Sequence, residues 1–592
     1  MKRLFDIVVE QAQQRPDSPM LGYKEDGVWK DISCKEVLSQ SEQFAEGLLS
    51  LGIKNDVLEV EKQEKIALVS ENRPDWVITD LAVQQTGAIL TPIYPTINPK
   101  EFAFILNEAE VEKIIFSDKE MHDRFAEAFP NIPTLTHILC LDPFDEAIHW
   151  KDLKPTEEHM AERKRISDKI KHTNVATLIY TSGTTGKPKG VMLSHENIYS
   201  NVMDCMPVFH FAEVDDVALS FLPLNHIFER TITYIYLKAS VSIYYAESMD
   251  TIGDNLREIR PMVFTSVPRL LEKVYERILM TGHGLTGIKK SLFFWANRLG
   301  ERYDNVDKGS WWYRYQLKIA NKIVFNKWRE ALGGRVKAVV SGSAPLQDKL
   351  IRIFSAAQVN IMEGYGLTET SPVISVNLLE DSGKRIGTVG LPLQNVEVKI
   401  ADDGEILSRG KNNMVGYYKN PEMTAEVLDE DGWLHTGDIG VWVEDKFLKI
   451  TDRKKEMFKT SGGKYVAPQY VEGKIRESHF IEQMMVFGPK RKFVGALIVP
   501  SFIHVKSKLK RDGVSIPATN EELVKMPEVI SLIQSQVDKF NADLNHVEQV
   551  KEFVLLPDEW TVESGILTPK LSLRRKVVYE RYHDAIESIY NT

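Results

Sequence analysis

Apolar residues recur along this chain in two alternating rhythms. In "KIALVSENRPDWVITDLAVQQTGAILTPIYP", Ile66 to Val69 form a short unbroken apolar run, which suits a strand buried on both faces. Pro74 fits the first turn of a helix. Val77, Ile78, Leu81, Ala82 and Gln85 then fall on one helical face, and Gly87 can close it. Ile89 to Ile93 reads as the next strand, which completes a βαβ unit. The stretch "NPKEFAFILNEAEVEKIIFSD" repeats the logic, with a helix from about Pro99 and a strand at Lys113 to Phe116. Much later, "RVKAVVSGSAPLQDKLIRIFSAAQVNIMEGYG" gives strand, loop, helix and strand again. Helices alternating with apolar strands predict an α/β fold with a mostly parallel sheet and helices on both faces.

Two stretches break the rhythm. From about 282 to 330 the chain is rich in Trp and basic residues and reads as a helical insertion. Its rings either pack into a core or form a surface that meets lipid or lines an apolar channel. After about Ile450 the texture becomes polar and basic in "TDRKKEMFKTSGGKYVAPQ", followed by short strands and helices. This predicts a boundary near Asp452, with domains over 1–451 and 452–592.

The chain's 592 residues are too many for one hydrophobic core, and 43% hydrophobic with 27% charged residues is a globular profile. The net charge of -10 argues against a dedicated nucleic-acid binder. Cys34, Cys140 and Cys205 lack disulfide or metal spacing, which fits a reducing, cytoplasmic compartment. No secretory signal is read at the N-terminus, and no apolar run is long enough to span a bilayer. Peripheral contact with the inner face of a membrane and a homodimer both stay open.

The stretch "YTSGTTGKPKG", Tyr180 to Gly190, carries the chemistry of a phosphate loop. Glycines let backbone N–H groups approach oxygens, while Thr181, Ser182, Thr184 and Thr185 add hydroxyls and Lys187 and Lys189 add charge. It is not a Walker loop. Gly183 and Gly186 stand too close, and Pro188 occupies the hydroxyl position after Lys187. "VATLIY" before it reads as a strand, and Ser194 can cap a helix after it.

With its neighbours, the loop resembles the signature of the adenylate-forming superfamily. The other motifs follow in order: "VPR" (Val267 to Arg269), "YGLTET" (Tyr365 to Thr370), "WLHTGDIG" (Trp433 to Gly440) and "DRKKEMFKTSGGK" (Asp452 to Lys464). "LPLNHIFER", "GTVGLP" and the Trp311–Trp312 insertion resemble the long-chain fatty acyl-CoA synthetase branch. The resemblance covers nearly the whole chain. It implies a large N-terminal domain of parallel-rich αβα sheets with a β-barrel-like subdomain, and a small mobile α+β C-terminal domain. It implies ATP, Mg2+ and coenzyme A, with a fatty acid activated to an acyl adenylate and then passed to the thiol. Another acid (aromatic or bile), an acyl carrier protein as acceptor, or a weakly catalytic nucleotide or lipid sensor are the alternatives.

The resemblance also implies roles. Thr181, Ser182, Gly183, Thr184, Thr185, Gly186 and Lys187 would hold the departing β- and γ-phosphates. Thr368 would touch the α-phosphate, and Glu369 would hold Mg2+. Glu363, Gly364, Tyr365 and Gly366 would line adenine on one side, Ser343, Ala344 and Pro345 on the other. Asp438 and Arg453 would hold the ribose, and Lys455 would be the hinge. His226 would lie beside the reacting carboxylate, and Tyr234 and Val267 would line the acyl site. Ser461, Gly462, Gly463 and Lys464, with Lys490 and Arg491, would meet coenzyme A. The chain departs from the family at "LTPKLSLRRK": the adenylation lysine is expected at Ser572, and a lysine stands instead at Lys570. Either Lys570 takes the role, its base shifted by about 6–7 Å along an extended segment, or adenylation proceeds without it.

Overall fold

The computed structural model describes residues 2–53, 59–182, 187–561, 564–567 and 573–590. They cluster into two compact units. The first contains residues 1–399, 407–435 and 444–448, and the second contains 400–406, 436–443 and 449–592. Asp438, which precedes the expected boundary in the chain, thus groups with the later residues. Its strand, Leu434–Val443, neighbours Phe447–Arg453 in a four-stranded sheet.

Two large sheets organise the first unit. The eight-stranded sheet is parallel at its centre: Val175–Ser182, Ile89–Ile93, Lys65–Val69, Lys113–Phe116 and His137–Cys140 lie side by side. Strand Pro188–Ser194 joins it antiparallel to Val175–Ser182, and the short strand Gly416–Tyr417 adds beyond it, also antiparallel. The centre strands are buried at every position because helices cover both faces. The nine-stranded sheet has the same plan. Val217–Ser220, Val263–Ser266, Ala338–Ser341 and Ile361–Gly366 run parallel, and Val373–Val376 turns back antiparallel at one end.

The helices connecting these strands form where the apolar spacing predicts them. Pro74–Gln85 begins with proline at its first turn, and Pro99–Glu108 is capped by Asn98, whose side chain accepts from the Glu101 N–H at 2.9 Å. Ser194 caps His195–Cys205 in the same way, accepting from the Asn197 N–H at 3.1 Å.

A buried polar cluster joins elements of both sheets within this unit. Asp80, on the helix after Lys65–Val69, receives Arg230, which stands on the helix after Val217–Ser220. The same guanidinium donates to Thr177 on the central strand at 2.6 Å, and the Tyr234 hydroxyl donates to Asp80 at 2.7 Å. Gln84 donates to both Asp80 and Tyr234.

In the insertion, helices Gly287–Glu301 and Trp311–Ala320 are followed by a single wide turn at Asn321–Phe325 and a last helix, Asn326–Ala331. Phe293, Tyr313, Phe325 and Trp328 point into the unit's core, whereas Trp311, Trp312 and Tyr315 are exposed. Some rings of this segment therefore pack into the core, as one reading expects, while others face outward.

The second unit is built on the antiparallel pair Ile481–Phe487 and Val494–Pro500, with Val550–Leu555 parallel to the latter. Helices Pro468–Ile475, Pro527–Asn541 and His583–Tyr590 supply Val471, Ile475, Ile533, Val537 and Ile586 to one apolar core. A small hairpin, Phe458–Lys459 with Tyr465–Val466, carries Ser461 to Lys464 at its tip.

Candidate active site

The phosphate-loop stretch joins the antiparallel strands Val175–Ser182 and Pro188–Ser194, in which Thr181 faces Lys189 and Tyr180 faces Gly190. Gly183, Thr184, Thr185 and Gly186 lie outside the described residues. Lys187 is exposed, while Lys189 turns inward and its ammonium lies 2.9 Å from Glu369 Oε1. The Tyr417 hydroxyl donates to the same oxygen at 2.8 Å. The Lys189 ammonium also bonds the Tyr417 hydroxyl and sits 4.0 Å from the centre of its ring.

Three segments far apart in the chain thus meet at one carboxylate. The sheet explains why: strand Gly416–Tyr417 pairs with Pro188–Ser194, Tyr417 opposite Val191. Burial raises the Glu369 carboxyl, but the Lys189 charge and the two hydrogen bonds outweigh it and hold the group below its ordinary value. Burial first, then the Glu369 charge, push the Tyr417 hydroxyl far above its usual range, so it remains a donor. Lys189 entered the sequence reading only as a source of charge, and the "KPKG" run was the signal for it. Tyr417 had no signal in the sequence.

Glu369 and Thr368 sit in one short turn, Thr368–Thr370, just past the end of strand Ile361–Gly366. Thr368 is buried. Tyr365 is buried opposite Ser375. A Cβ on Gly366 would fall 1.6 Å from the Pro372 carbonyl oxygen, so only glycine fits there. Gly364 is under no such pressure, since its nearest neighbour would be 3.7 Å away.

The neighbouring strand Ala338–Ser341 leads into Ser343, Ala344 and Pro345, all exposed, with Ser343 in the left-handed region at φ 70°. Both loops therefore leave the carboxyl ends of adjacent parallel strands, where open α/β sheets bind ligands. Glu363 ties them together by accepting from the Leu346 N–H at 3.3 Å. Burial, with Asp348 adding to it, pushes the Glu363 carboxyl up to about 8.

His226 caps helix Ile227–Lys238, its Nδ1 accepting from the Phe228 N–H at 3.1 Å. The neutral ring then carries its proton on Nε2. Three residues on, buried Glu229 accepts from the Ser220 and Thr265 hydroxyls, and burial pushes its carboxyl up to about 7. Val267 stands at the start of helix Pro268–Gly284. Tyr234 is fully buried, and its hydroxyl is engaged by Asp80 and Gln84.

In the second unit, Asp438 is buried and its Oδ1 lies 2.9 Å from Arg453 Nε. The Asp438 N–H donates to Thr436 Oγ1 at 3.1 Å, and Gly437, at φ 72°, makes the turn between them. Next to Arg453, Asp452 is buried; one of its oxygens accepts from the Arg453 N–H and the other has no partner among the described residues. Burial pushes its carboxyl up to about 7. Lys455 follows in the turn after this strand.

The two stretches predicted to meet coenzyme A come together. The Ser461 N–H donates to the Arg491 carbonyl, and the Lys490 N–H to the Lys459 carbonyl, each at 2.8 Å. Gly462, Gly463 and Lys464 are exposed at the hairpin tip, with Gly463 at φ 73°. The Arg491 guanidinium pairs with Glu587 and lies 4.8 Å from the Tyr590 ring centre. Lys570 and Ser572 lie outside the described residues.

Residues 8–418 match the family model described as AMP-binding enzyme, and residues 456–592 match the AMP-binding enzyme C-terminal domain. The chain is 33% identical to the long-chain-fatty-acid–CoA ligase FadD15 of Mycobacterium bovis, over 99% of this chain and 96% of that protein. It is 32% identical to long-chain-fatty-acid–CoA ligase 5 of Mus musculus, over 100% of this chain and 89% of the relative. Among solved structures, the adenylation domain of a carboxylate reductase from Mycobacterium chelonae superposes with TM-score 0.77 at 22% identity, covering 100% of this chain and 91% of that one. The anthranilate CoA ligase AuaEII gives 0.70 at 17% identity, with 98% and 97% covered. The chain belongs to the AMP-binding, adenylate-forming enzyme family.

Proposed function

We infer that this protein joins a long-chain fatty acid to coenzyme A at the expense of ATP, releasing AMP and pyrophosphate. The observation that carries the reading is the Glu369 carboxylate, kept ionised by Lys189 and Tyr417 beside the phosphate-loop strands. Full-length identity to ligases named for long-chain fatty acids supports the choice of acid.

A hard divalent cation suits this donor set. Among the described residues no three metal-ligating side chains gather, so Mg2+ would be held by Glu369 and by phosphate oxygens of the nucleotide. When bound it would neutralise charge on those oxygens. In the first step the fatty carboxylate attacks the α-phosphorus, and the bond to the β-phosphate oxygen breaks. Lys187, Lys189 and the loop's N–H groups would take up charge on the departing pyrophosphate. Thr368 would donate to the α-phosphate. Asp438 can accept from both ribose hydroxyls, and Arg453 would steady that carboxylate. Tyr365 and Glu363, with Ser343, Ala344 and Pro345, would line the base. His226 would orient the acyl carboxylate, and Val267 and Tyr234 would shape the acyl site. In the second step the thiol of coenzyme A attacks the acyl carbon and AMP leaves. Ser461 to Lys464 with Lys490 and Arg491 would meet this substrate. The division at 1–451 and 452–592, and a turn about Lys455 between the steps, belong to the same proposal, as does Lys570 in adenylation.

Three buried, unpaired cysteines suit a cytoplasmic protein. Among the described residues no helix is long and apolar enough to cross a membrane. Peripheral contact with the inner face of a membrane, where long-chain acids partition, is part of the proposal, and a homodimer is compatible with it.

The test is AMP release and thioester formation with ATP, Mg2+, coenzyme A and acids of increasing chain length. Palmitate should be among the best substrates, and a preference for short or aromatic acids would overturn the choice of acid. Lys570→Ala should lose ATP–pyrophosphate exchange while still forming thioester from supplied acyl adenylate. Unchanged exchange would remove Lys570 from the reaction.

A further inference from the structure

The exposed side of the insertion has a composition that neither ATP nor coenzyme A requires. Trp311 is 71% exposed, and Trp312 and Tyr315 are each 53% exposed. Ile319 and Ile323 continue the same side at four-residue steps. Trp312 and Tyr315 stack on one another at 5.7 Å, and Trp311 meets Trp312 edge-on at 5.6 Å, so the rings form one apolar ridge. From Trp311 to Ala331 the helical segment is about 30 Å long.

The neighbouring helix extends this side. Tyr313 donates to the Leu299 carbonyl at 2.9 Å and Trp295 to Gln316 at 3.1 Å, which sets Gly287–Glu301 antiparallel to Trp311–Ala320. Leu292 and Ile288 lie three and seven residues before Trp295, on its side of the helix, and Ile288 is 79% exposed.

Charge points to one partner. The whole chain is at -10, yet between Asp307 and Glu330 no acidic residue occurs and Lys308, Arg314, Lys318, Lys322, Lys327 and Arg329 all do. Arg314, Lys318 and Lys322 are exposed beside the ridge and form no ion pair among the described residues. Trp and Tyr at an apolar–polar boundary, flanked by unpaired cations, suit the headgroup layer of an anionic bilayer. A second copy of the chain suits it poorly, because a two-fold contact would set these cations against their own copies.

We propose that the exposed side of residues 288–323 is a docking surface for the interfacial layer of an anionic lipid bilayer. Trp311, Trp312 and Tyr315 enter the headgroup region, and Arg314, Lys318 and Lys322 lie against lipid phosphate. This assigns a surface to the peripheral membrane contact named above, and it stands apart from the acyl transfer itself, since docking needs no nucleotide and no acyl transfer.

The experiment is flotation of the full chain with vesicles, without substrates. One set is phosphatidylcholine alone, and the other is equal parts phosphatidylcholine and phosphatidylglycerol. The chain should float with the mixed vesicles and weakly with phosphatidylcholine. Each cation near an anionic surface strengthens binding about fivefold, so Lys318→Glu with Lys322→Glu should weaken it at least ~25-fold. Trp311→Ser with Trp312→Ser and Tyr315→Ser should abolish the binding that persists at high salt. Equal urea midpoints of variants and wild type show that the fold is kept; if the aromatic variant unfolds, the charge variant alone decides. Wild type that stays with the unbound fraction, or variants that float like wild type, overturn the proposal. So does a dimer in sedimentation velocity that the aromatic substitutions dissolve while vesicle binding is absent.

Discussion

Asp452→Asn should stabilise the second unit, and by an amount that grows with pH. The side chain is 3% exposed, and one of its oxygens is buried without a partner among the described residues. The other accepts the Arg453 N–H, a bond that the amide oxygen of asparagine can keep. Burial is the main cause of a carboxyl pushed up to about 7, with Glu456 and Glu472 adding to it and Arg575 opposing. In the unfolded chain the group titrates near its ordinary value, about 3.9. Between these two values the unfolded chain has released the proton and the folded chain retains it. Wild-type stability therefore falls as pH rises from about 4 to about 7 and is level above that. Asparagine does not titrate and escapes this loss. The variant's advantage should be roughly 1–2 kcal/mol at pH 5 and roughly 4 kcal/mol at pH 8. Urea unfolding of the full chain at the two pH values measures it. An advantage that is the same at pH 5 and pH 8, or a variant less stable than wild type at pH 8, would refute the reasoning.

Other substitutions test the remaining contacts. Lys189→Ala removes the cation beside Glu369 and should lower ATP–pyrophosphate exchange on the order of 10²-fold. Tyr417→Phe removes one donor to the same carboxylate, raising its pKa, so the acid limb of the kcat/KM profile should move to higher pH, with about a tenfold loss confined to that limb. Lys490→Ala should raise the KM for coenzyme A about fivefold and leave ATP–pyrophosphate exchange unchanged. Arg230→Met leaves Asp80 buried without its cation and should cost about 3–5 kcal/mol in urea unfolding.

The parts of the fold that were legible in the sequence share a physical cause. Ile66 to Val69 and Ile89 to Ile93 are central parallel strands covered on both faces, so each position had to be apolar and the run was unbroken. The helix between them announced itself through Pro74. Glu369, Asp438 and Arg453 were visible in the sequence as candidates because each stands in a motif whose glycines and hydroxyls are local in sequence. The partners of Glu369 were not. Lys189 is 180 residues before it and Tyr417 is 48 after, and only a strand pairing brings the two together. The bond between the Ser461 and Arg491 backbones escaped sequence reading in the same way, because it depends on how a hairpin folds over a sheet. In the insertion, Trp311, Trp312 and Tyr313 are consecutive, yet the first two face outward and the third inward. Composition alone cannot divide such a run, and the wide turn at Asn321–Phe325 shifts the register beyond it.

The buried cluster of Asp80, Gln84, Thr177, Arg230 and Tyr234 has a consequence for how this sequence can change over time. Each member satisfies at least one other, so replacing any one alone strands a polar atom away from water. An apolar set of similar volume could fill the space, but only if several codons changed together. The five positions therefore form an evolutionary lock, closed not because the polar arrangement is the most stable one available, but because every single step away from it passes through a less stable protein.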